Sequence, residues 1–241
     1  MSKGITLIYG TNGSGKTSIA LDVAFNAIKE KRQDNKVLYL DHEIGVDYSR
    51  IVQILQAKNM EQNIVSKDNG FTINKKLRIE PVSTIEDLIN KLKKIERSKP
   101  NLLIVDPITA HYLVLICQYS EVGEAISKIS SFGRPSKYLI FFSGMIKAYC
   151  GKWNMSVLYT TQPVSNVKMA MILKEIEKGG ISAYDYRKFV GGKALGHDSK
   201  VIVRVIKRLK SERTMILEKH RSKKTGSSCS FKICDCGISD V

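Results

Sequence analysis

The chain has 241 residues, 43% of them apolar, enough to bury a substantial core within a single domain. It contains no run of 18 or more apolar residues, and its first residues lead into a strand-like run rather than an apolar stretch with a small-residue cleavage site; neither a membrane span nor a signal peptide is expected, and a cytoplasmic location is. Lys and Arg number 39 against 23 Asp and Glu, and the resulting net charge of +16 favours polyanionic partners.

Ile5-Thr6-Leu7-Ile8-Tyr9 is a short β-branched and apolar run that predicts a strand, and Ser18 to Ile28, free of Gly and Pro, predicts a helix. Between them stands Gly10-Thr11-Asn12-Gly13-Ser14-Gly15-Lys16-Thr17, which with Ser18 fits the phosphate-loop pattern G-x-x-x-x-G-K-[ST] in its strand, loop, helix setting. The glycines let the backbone curl so that successive N–H groups point at phosphate oxygens, with the positive end of the helix behind them. Lys16 then offers a mobile charge to the terminal phosphates and Thr17 a hydroxyl to a magnesium ion, so a nucleoside triphosphate with Mg2+ is the expected ligand. The pattern does not say which chemistry follows.

Lys36 to Leu40 reads as a second strand that ends in Asp41-His42-Glu43, where an α/β sheet places functional side chains. After a short strand-like Leu77-Arg78-Ile79, Ser83-Thr84-Ile85-Glu86 reads as a capping box, opening a helix whose Ile85, Leu88, Ile89, Leu92 and Ile95 share one face. That helix is expected to stop before Pro100. A third strand, Leu102 to Val105, ends in Asp106; coupled to the phosphate loop, an acid in that place is the pattern of a magnesium-shell carboxylate. Tyr138 to Tyr149 predicts a buried helix, and Ser156 to Thr160 a fourth strand that terminates in Thr161-Gln162. Ser130 to Ser136 and Pro163 to Lys193 are expected to be loops. Cations in or beside them (Arg134, Lys137, Lys168, Lys174, Arg187, Lys188) are the candidates for DNA contact.

The alternation of strands and helices predicts an α/β fold with a mainly parallel sheet covered on both faces. From Val201 onward the texture changes to Val201–Val205, Thr214–Leu217 and Ser230–Ile233, short alternating strands that predict an antiparallel C-terminal extension. The same region concentrates the basic excess: Lys200, Arg204, Lys207, Arg208, Lys210, Arg213, Lys219, Arg221, Lys223 and Lys224 face only Glu212 and Glu218, which reads as a solvated or polyanion-binding surface. The five cysteines are odd in number and lack paired metal spacing, so they are expected to be buried thiols of a reducing compartment. For Cys229, Cys234 and Cys236, strand alternation with Phe231 and Ile233 is a simpler explanation than zinc.

Six segments in order, "GTNGSGKT", "VLYLDHE", "LLIVDPITA", "VLYTTQPV", "GGKALGH" and "LEKHRSKKTGSSCSFKICDCGI", make the chain resemble the ATPase core of the RecA/RadA recombinase superfamily over nearly its whole length, in particular the archaeal RadA paralogues typified by RadB. The resemblance implies a RecA-like ATPase domain spanning 1–241 without an N-terminal helix-hairpin-helix domain, with ATP and Mg2+ as cofactors. It implies Glu43 as the residue that orients the attacking water, Asp106 as a magnesium carboxylate acting through water, and Gln162 as the γ-phosphate sensor leading into a DNA-binding loop. Lys219 and Arg221 match a K-x-R element that reaches a neighbouring subunit's phosphate. Pro107 and Thr161 depart from the usual Ser and Asn of the family. The implied function is weak, DNA-linked ATP hydrolysis in recombination and repair, with single-stranded DNA, a RadA-type recombinase and further copies of the chain as partners. A KaiC-like regulatory ATPase acting on protein partners and an independent strand-exchange recombinase are the alternatives.

Overall fold

The computed structural model describes residues 4–29, 35–60, 63–67, 70–112, 135–164, 189–208 and 211–241. In chain order these form β1 (Ile5–Gly10), α1 (Lys16–Lys29), β2 (Val37–Asp41), α2 (Tyr48–Ala57), β3 (Ile64–Lys67), β4 (Gly70–Ile73), β5 (Leu77–Pro81), α3 (Ile85–Ser98), β6 (Leu102–Asp106), α4 (Pro135–Trp153), β7 (Ser156–Thr161), α5 (Gly192–Asp198), β8 (Ser199–Lys207), β9 (Glu212–Lys219), β10 (Ser228–Cys234) and β11 (Gly237–Asp240). Among the described residues, no helix is long and apolar enough to cross a membrane.

All the strands join one sheet in the order β11-β10-β9-β8-β1-β7-β6-β2-β5-β4-β3. Pairing is parallel from β8 through β1, β7, β6 and β2 to β5, and antiparallel at both flanks. The fold is thus α/β, with a mixed sheet that is parallel in its core and flanked by helices. Period-two alternation assigns each central strand's residues to two apolar layers. Leu7, Tyr9, Leu38, Leu40, Leu103, Val105, Val157 and Tyr159 pack with α3, α4 and α5. Ile8, Val37, Tyr39, Leu102, Ile104 and Leu158 face α1 and α2 on the other side. Burial on both faces explains why β2 and β6 read as unbroken apolar runs.

Four local expectations are corrected. The capping residue of α3 is Thr84, whose Oγ1 accepts the Asp87 N–H at 3.1 Å, while the Asp87 carboxylate reaches back to the Ser83 N–H at 3.3 Å. The box is therefore one residue later than Ser83 to Glu86. Pro135 and Ser136 open α4 instead of closing a loop, because proline's fixed φ and missing donor suit a first turn. The Pro163 to Lys193 segment is not loop throughout: Pro163 bridges Phe189 and α5 begins at Gly192. Finally, β8 pairs in parallel with β1, so the antiparallel extension starts only at β9. Alternation along a strand reports its faces but not the direction of its neighbour. The sequence reading passed over α2, although Ile51, Ile54 and Leu55 mark one buried helical face, and over β3 and β4, whose runs are short and partly exposed.

Candidate nucleotide site

The carboxyl ends of four parallel strands meet at one point of the sheet. Register sets Asp41 of β2 against Asp106 of β6, and Tyr9 of β1 against Thr161 of β7, so β1's exit into the phosphate loop lies beside the acid ends of β2 and β6. A cavity of about 320 Å3 opens there, lined by the phosphate loop and the start of α1 together with Glu43, Asp106, Pro107, Gln162 and Ile233.

Backbone constraints dictate the loop's glycines. A Cβ at Gly10 would stand 2.5 Å from the Val205 carbonyl, and Gly15 has φ +97° with a hypothetical Cβ only 2.7 Å from Ile233 Cδ1. The Ser14 N–H donates to the Thr11 carbonyl at 3.1 Å, and the first helical turn closes from the Ile19 N–H to the Gly15 carbonyl at 2.9 Å. The start of α1 thus lines the cavity, with the positive end of the helix dipole toward it. Ser14 Oγ is fully buried and has no partner among the described residues. Lys16 Nζ donates to the loop's own carbonyls at Gly10, 2.9 Å, and Thr11, 3.1 Å. Burial depresses its pKa, against the opposing pull of Asp106 and Glu43.

The acids divide by environment. Asp106 is buried and accepts from the Tyr39 hydroxyl and from Thr160 Oγ1, which fix its orientation at the floor of the cavity. The Asp106–Pro107 peptide is cis. Asp41, equally buried, takes the N–H groups of Glu43 and Gly45 at 3.3 Å and of Val46 at 2.9 Å, turning the chain after β2 so that Glu43 comes to the cavity mouth. Loss of hydration, then the proximity of Asp106, raises the Glu43 pKa, with Lys16 acting in the other direction. On the β7 side, Thr161 Oγ1 donates to the Val190 carbonyl at 3.1 Å, which leaves Thr109 Oγ1 to donate to Thr161 at 3.1 Å. The Gln162 carbonyl accepts the Val190 N–H at 2.9 Å, so the cavity wall is tied to the chain that returns through Phe189.

The structure therefore gathers Lys16, Thr17, Ser18, Glu43, Asp106 and Gln162 around one cavity. Lys219 and Arg221 are not among its walls. Because β9 runs antiparallel to β8, they lie toward the opposite end of the sheet, where Lys219 Nζ donates to the Gly196 carbonyl at 2.8 Å. Of the DNA candidates, Lys137 is exposed on α4 rather than in a loop, and Arg134, Lys168, Lys174, Arg187 and Lys188 lie outside the described residues. Two expectations about the late region fail. Arg213 is buried, not part of a solvated basic surface, and donates to the Gly13 carbonyl at 3.2 Å. Cys234 and Cys236 are joined in a disulfide at the β10–β11 turn, Cys229 is exposed and Cys150 is half-buried, so these are not uniformly buried thiols; Cys117 lies outside the described residues. Sequence reasoning missed Tyr39, Asp41 and Thr160 as supports, and missed the cover that Ile233 gives the loop. Only the first three carried a local signal, as polar residues within or ending apolar strands.

The chain is 30% identical over 238 residues to the DNA repair and recombination protein RadB of Methanosphaera stadtmanae, covering 97% of this chain and 86% of that protein. It is 27% identical to the protein of the same description from Thermococcus sibiricus, covering 100% of this chain and 89% of the relative. A crystal structure of the RadB recombinase superposes with a TM-score of 0.67 at 23% identity, covering 99% of this chain and 91% of that one, a likeness of fold. The Rad51 family model matches residues 1–241, and with this cavity at the sheet's carboxyl edge the chain belongs to the Rad51 family.

Proposed function

We propose that this chain is a RadB-like recombinase paralogue that binds ATP with Mg2+, binds DNA, single-stranded DNA above all, hydrolyses ATP weakly and assists a RadA-type recombinase in recombinational repair. The observation that carries the reading is the convergence of Lys16, Thr17, Glu43, Asp106 and Gln162 on one cavity at the strand ends. The similarity to archaeal DNA repair and recombination proteins supplies the biological setting.

The residues present suit the expected ligands. A glycine cradle, a helix N-terminus and a lysine that can exchange loop carbonyls for phosphate oxygens match a polyphosphate, and a hydroxyl beside a buried carboxylate matches a hard cation that prefers oxygen. Thr17 and Asp106 would hold the Mg2+, Asp106 through water, and the ion when bound would neutralise charge on the polyphosphate. Glu43 at the mouth would orient the attacking water, its raised pKa improving its match to proton transfer near neutrality. Gln162 would report the γ-phosphate to the segment beyond Pro163. Lys219 and Arg221, remote from their own cavity, would act only on a neighbouring copy's phosphates, so an isolated subunit turns over slowly.

Phosphate release from ATP, measured with and without single-stranded DNA on the wild type and on Glu43→Gln, tests the reading. Slow turnover that DNA alters, reduced at least tenfold in the variant with nucleotide binding retained, is expected. Turnover indifferent to DNA would remove DNA from the reading, and full turnover in Glu43→Gln would remove Glu43 from its role.

A further inference from the structure

The C-terminal strands press on the phosphate loop from the side opposite the acids. The Val205 carbonyl of β8 abuts Gly10, Ile233 of β10 abuts Gly15, and Arg213 of β9 reaches Gly13. Arg213 stands 200 positions from Gly13 in sequence, is 7% exposed, and its guanidinium donates to the carbonyls of Glu212 at 2.9 Å and Gly13 at 3.2 Å. Its neighbour in the β8–β9 register, Lys207, brings Nζ to 3.9 Å from the point where a Gly13 side chain would begin.

The peptide plane between Gly13 and Ser14 is consequently held at both edges. Arg213 takes the Gly13 oxygen and the Thr11 carbonyl takes the Ser14 N–H. Gly13 has φ +69°, in the left-handed region, and a glycine on one side of the plane leaves it freer to rotate unless something fixes it. A charge-assisted bond from a buried guanidinium is strong enough to do so. It also places a full positive charge directly behind the loop, in surroundings that screen it less than water does.

We propose that Arg213 is a positioning residue for the nucleotide site: it pins the Gly13–Ser14 peptide so that the loop is set before a polyphosphate arrives, and its charge favours the more highly charged nucleotide. This inference rests on the nucleotide reading given above. Loss of a preset loop weakens every phosphate ligand, whereas loss of the charge weakens ATP more than ADP, since ATP carries the larger negative charge.

The test is titration of the full chain with fluorescent ATP and fluorescent ADP, each with Mg2+, for the wild type, Arg213→Met and Arg213→Lys, with melting temperatures measured alongside. Arg213→Met is expected to weaken ATP at least roughly tenfold and to lower the ATP-over-ADP preference, as removal of a charged hydrogen bond does. Arg213→Lys restores the preference by restoring the charge. Equal weakening of both nucleotides in Arg213→Met, or a Lys variant as poor as the Met variant, overturns the role given to the charge, and weakening of ATP with ADP untouched overturns the pinning. Should Arg213→Met not fold, Arg213→Gln replaces it with the same expectations. A wild type that binds neither nucleotide overturns the underlying reading, while a normal wild type with an indifferent Arg213→Met overturns this inference alone.

Discussion

His42 lies between two site acids in sequence yet takes no place in the cavity. Its ring is buried, sits 4.9 Å from that of His111 between centroids, and neither of its nitrogens has a partner among the described residues. Burial, then the neighbouring His111, lowers its pKa to about 3, against the weaker opposing pull of Asp87. The same burial lowers the pKa of His111, which Asp87 and Glu86 oppose. The folded chain holds His42 neutral while the unfolded chain protonates it below its ordinary 6.5. Its contribution to stability is therefore complete above about pH 6.5 and is lost progressively as pH falls toward 3. Between pH 7 and pH 5 the loss is about 1–2 kcal/mol, few carboxylates titrating in that window. Chemical denaturation of the wild type and of His42→Phe across that range measures it: the wild type should lose stability more steeply on acidification, and parallel curves would show that His42 is not held neutral. At this scale the sequence was most informative where function is contiguous. Gly10 to Ser18 is one stretch of chain with one spacing, and so it reads directly. Arg213 touches the same loop from a distant strand, and no local pattern separates it from the solvated cations around it.

Elements were legible where burial is two-sided or a cap is written in the chain. The central strands β2 and β6 are apolar on both faces and were found within a residue of their bounds. The helix α3 shows an apolar stripe through Leu88, Leu92 and Ile95 and closes at Lys99 in a left-handed turn before Pro100. Its start was misplaced because Ser83 and Thr84 are adjacent hydroxyls, each with an acid three residues on; only the extended backbone of Thr84, φ −137°, decides between them. Thr84→Ala should therefore cost about 1 kcal/mol, whereas Ser83→Ala should cost a few tenths at most. Urea unfolding of the two variants decides it, and the opposite ranking would return the cap to Ser83. The hairpin of β3 and β4 escaped the sequence reading because it joins the sheet only at its edge, with Val65 largely exposed, so its composition resembles that of a loop.

At the scale of the molecule, the alternation of strands and helices gave the layered α/β plan, but not the sheet order, which depends on contacts between strands far apart in sequence. The parallel seating of β8 beside β1 is the main example: it carries β9 and β10 to the loop after β1 and so makes the chain's last third part of the candidate nucleotide site. The same seating sends Lys219 and Arg221 to the other end of β9, where Lys219 meets the Gly196 carbonyl and the charge of Asp198 instead of the cavity. One strand thus links a cation at the phosphate loop to cations turned outward. Everything in this arrangement depends on the cavity at the strand ends holding a magnesium nucleotide through Lys16. Calorimetric titration of Mg2+-ATP into the wild type and Lys16→Ala tests that most directly. Saturable heat at one site per chain, absent in the variant, is the predicted result; no heat with the wild type, or the same heat with both proteins, would contradict it.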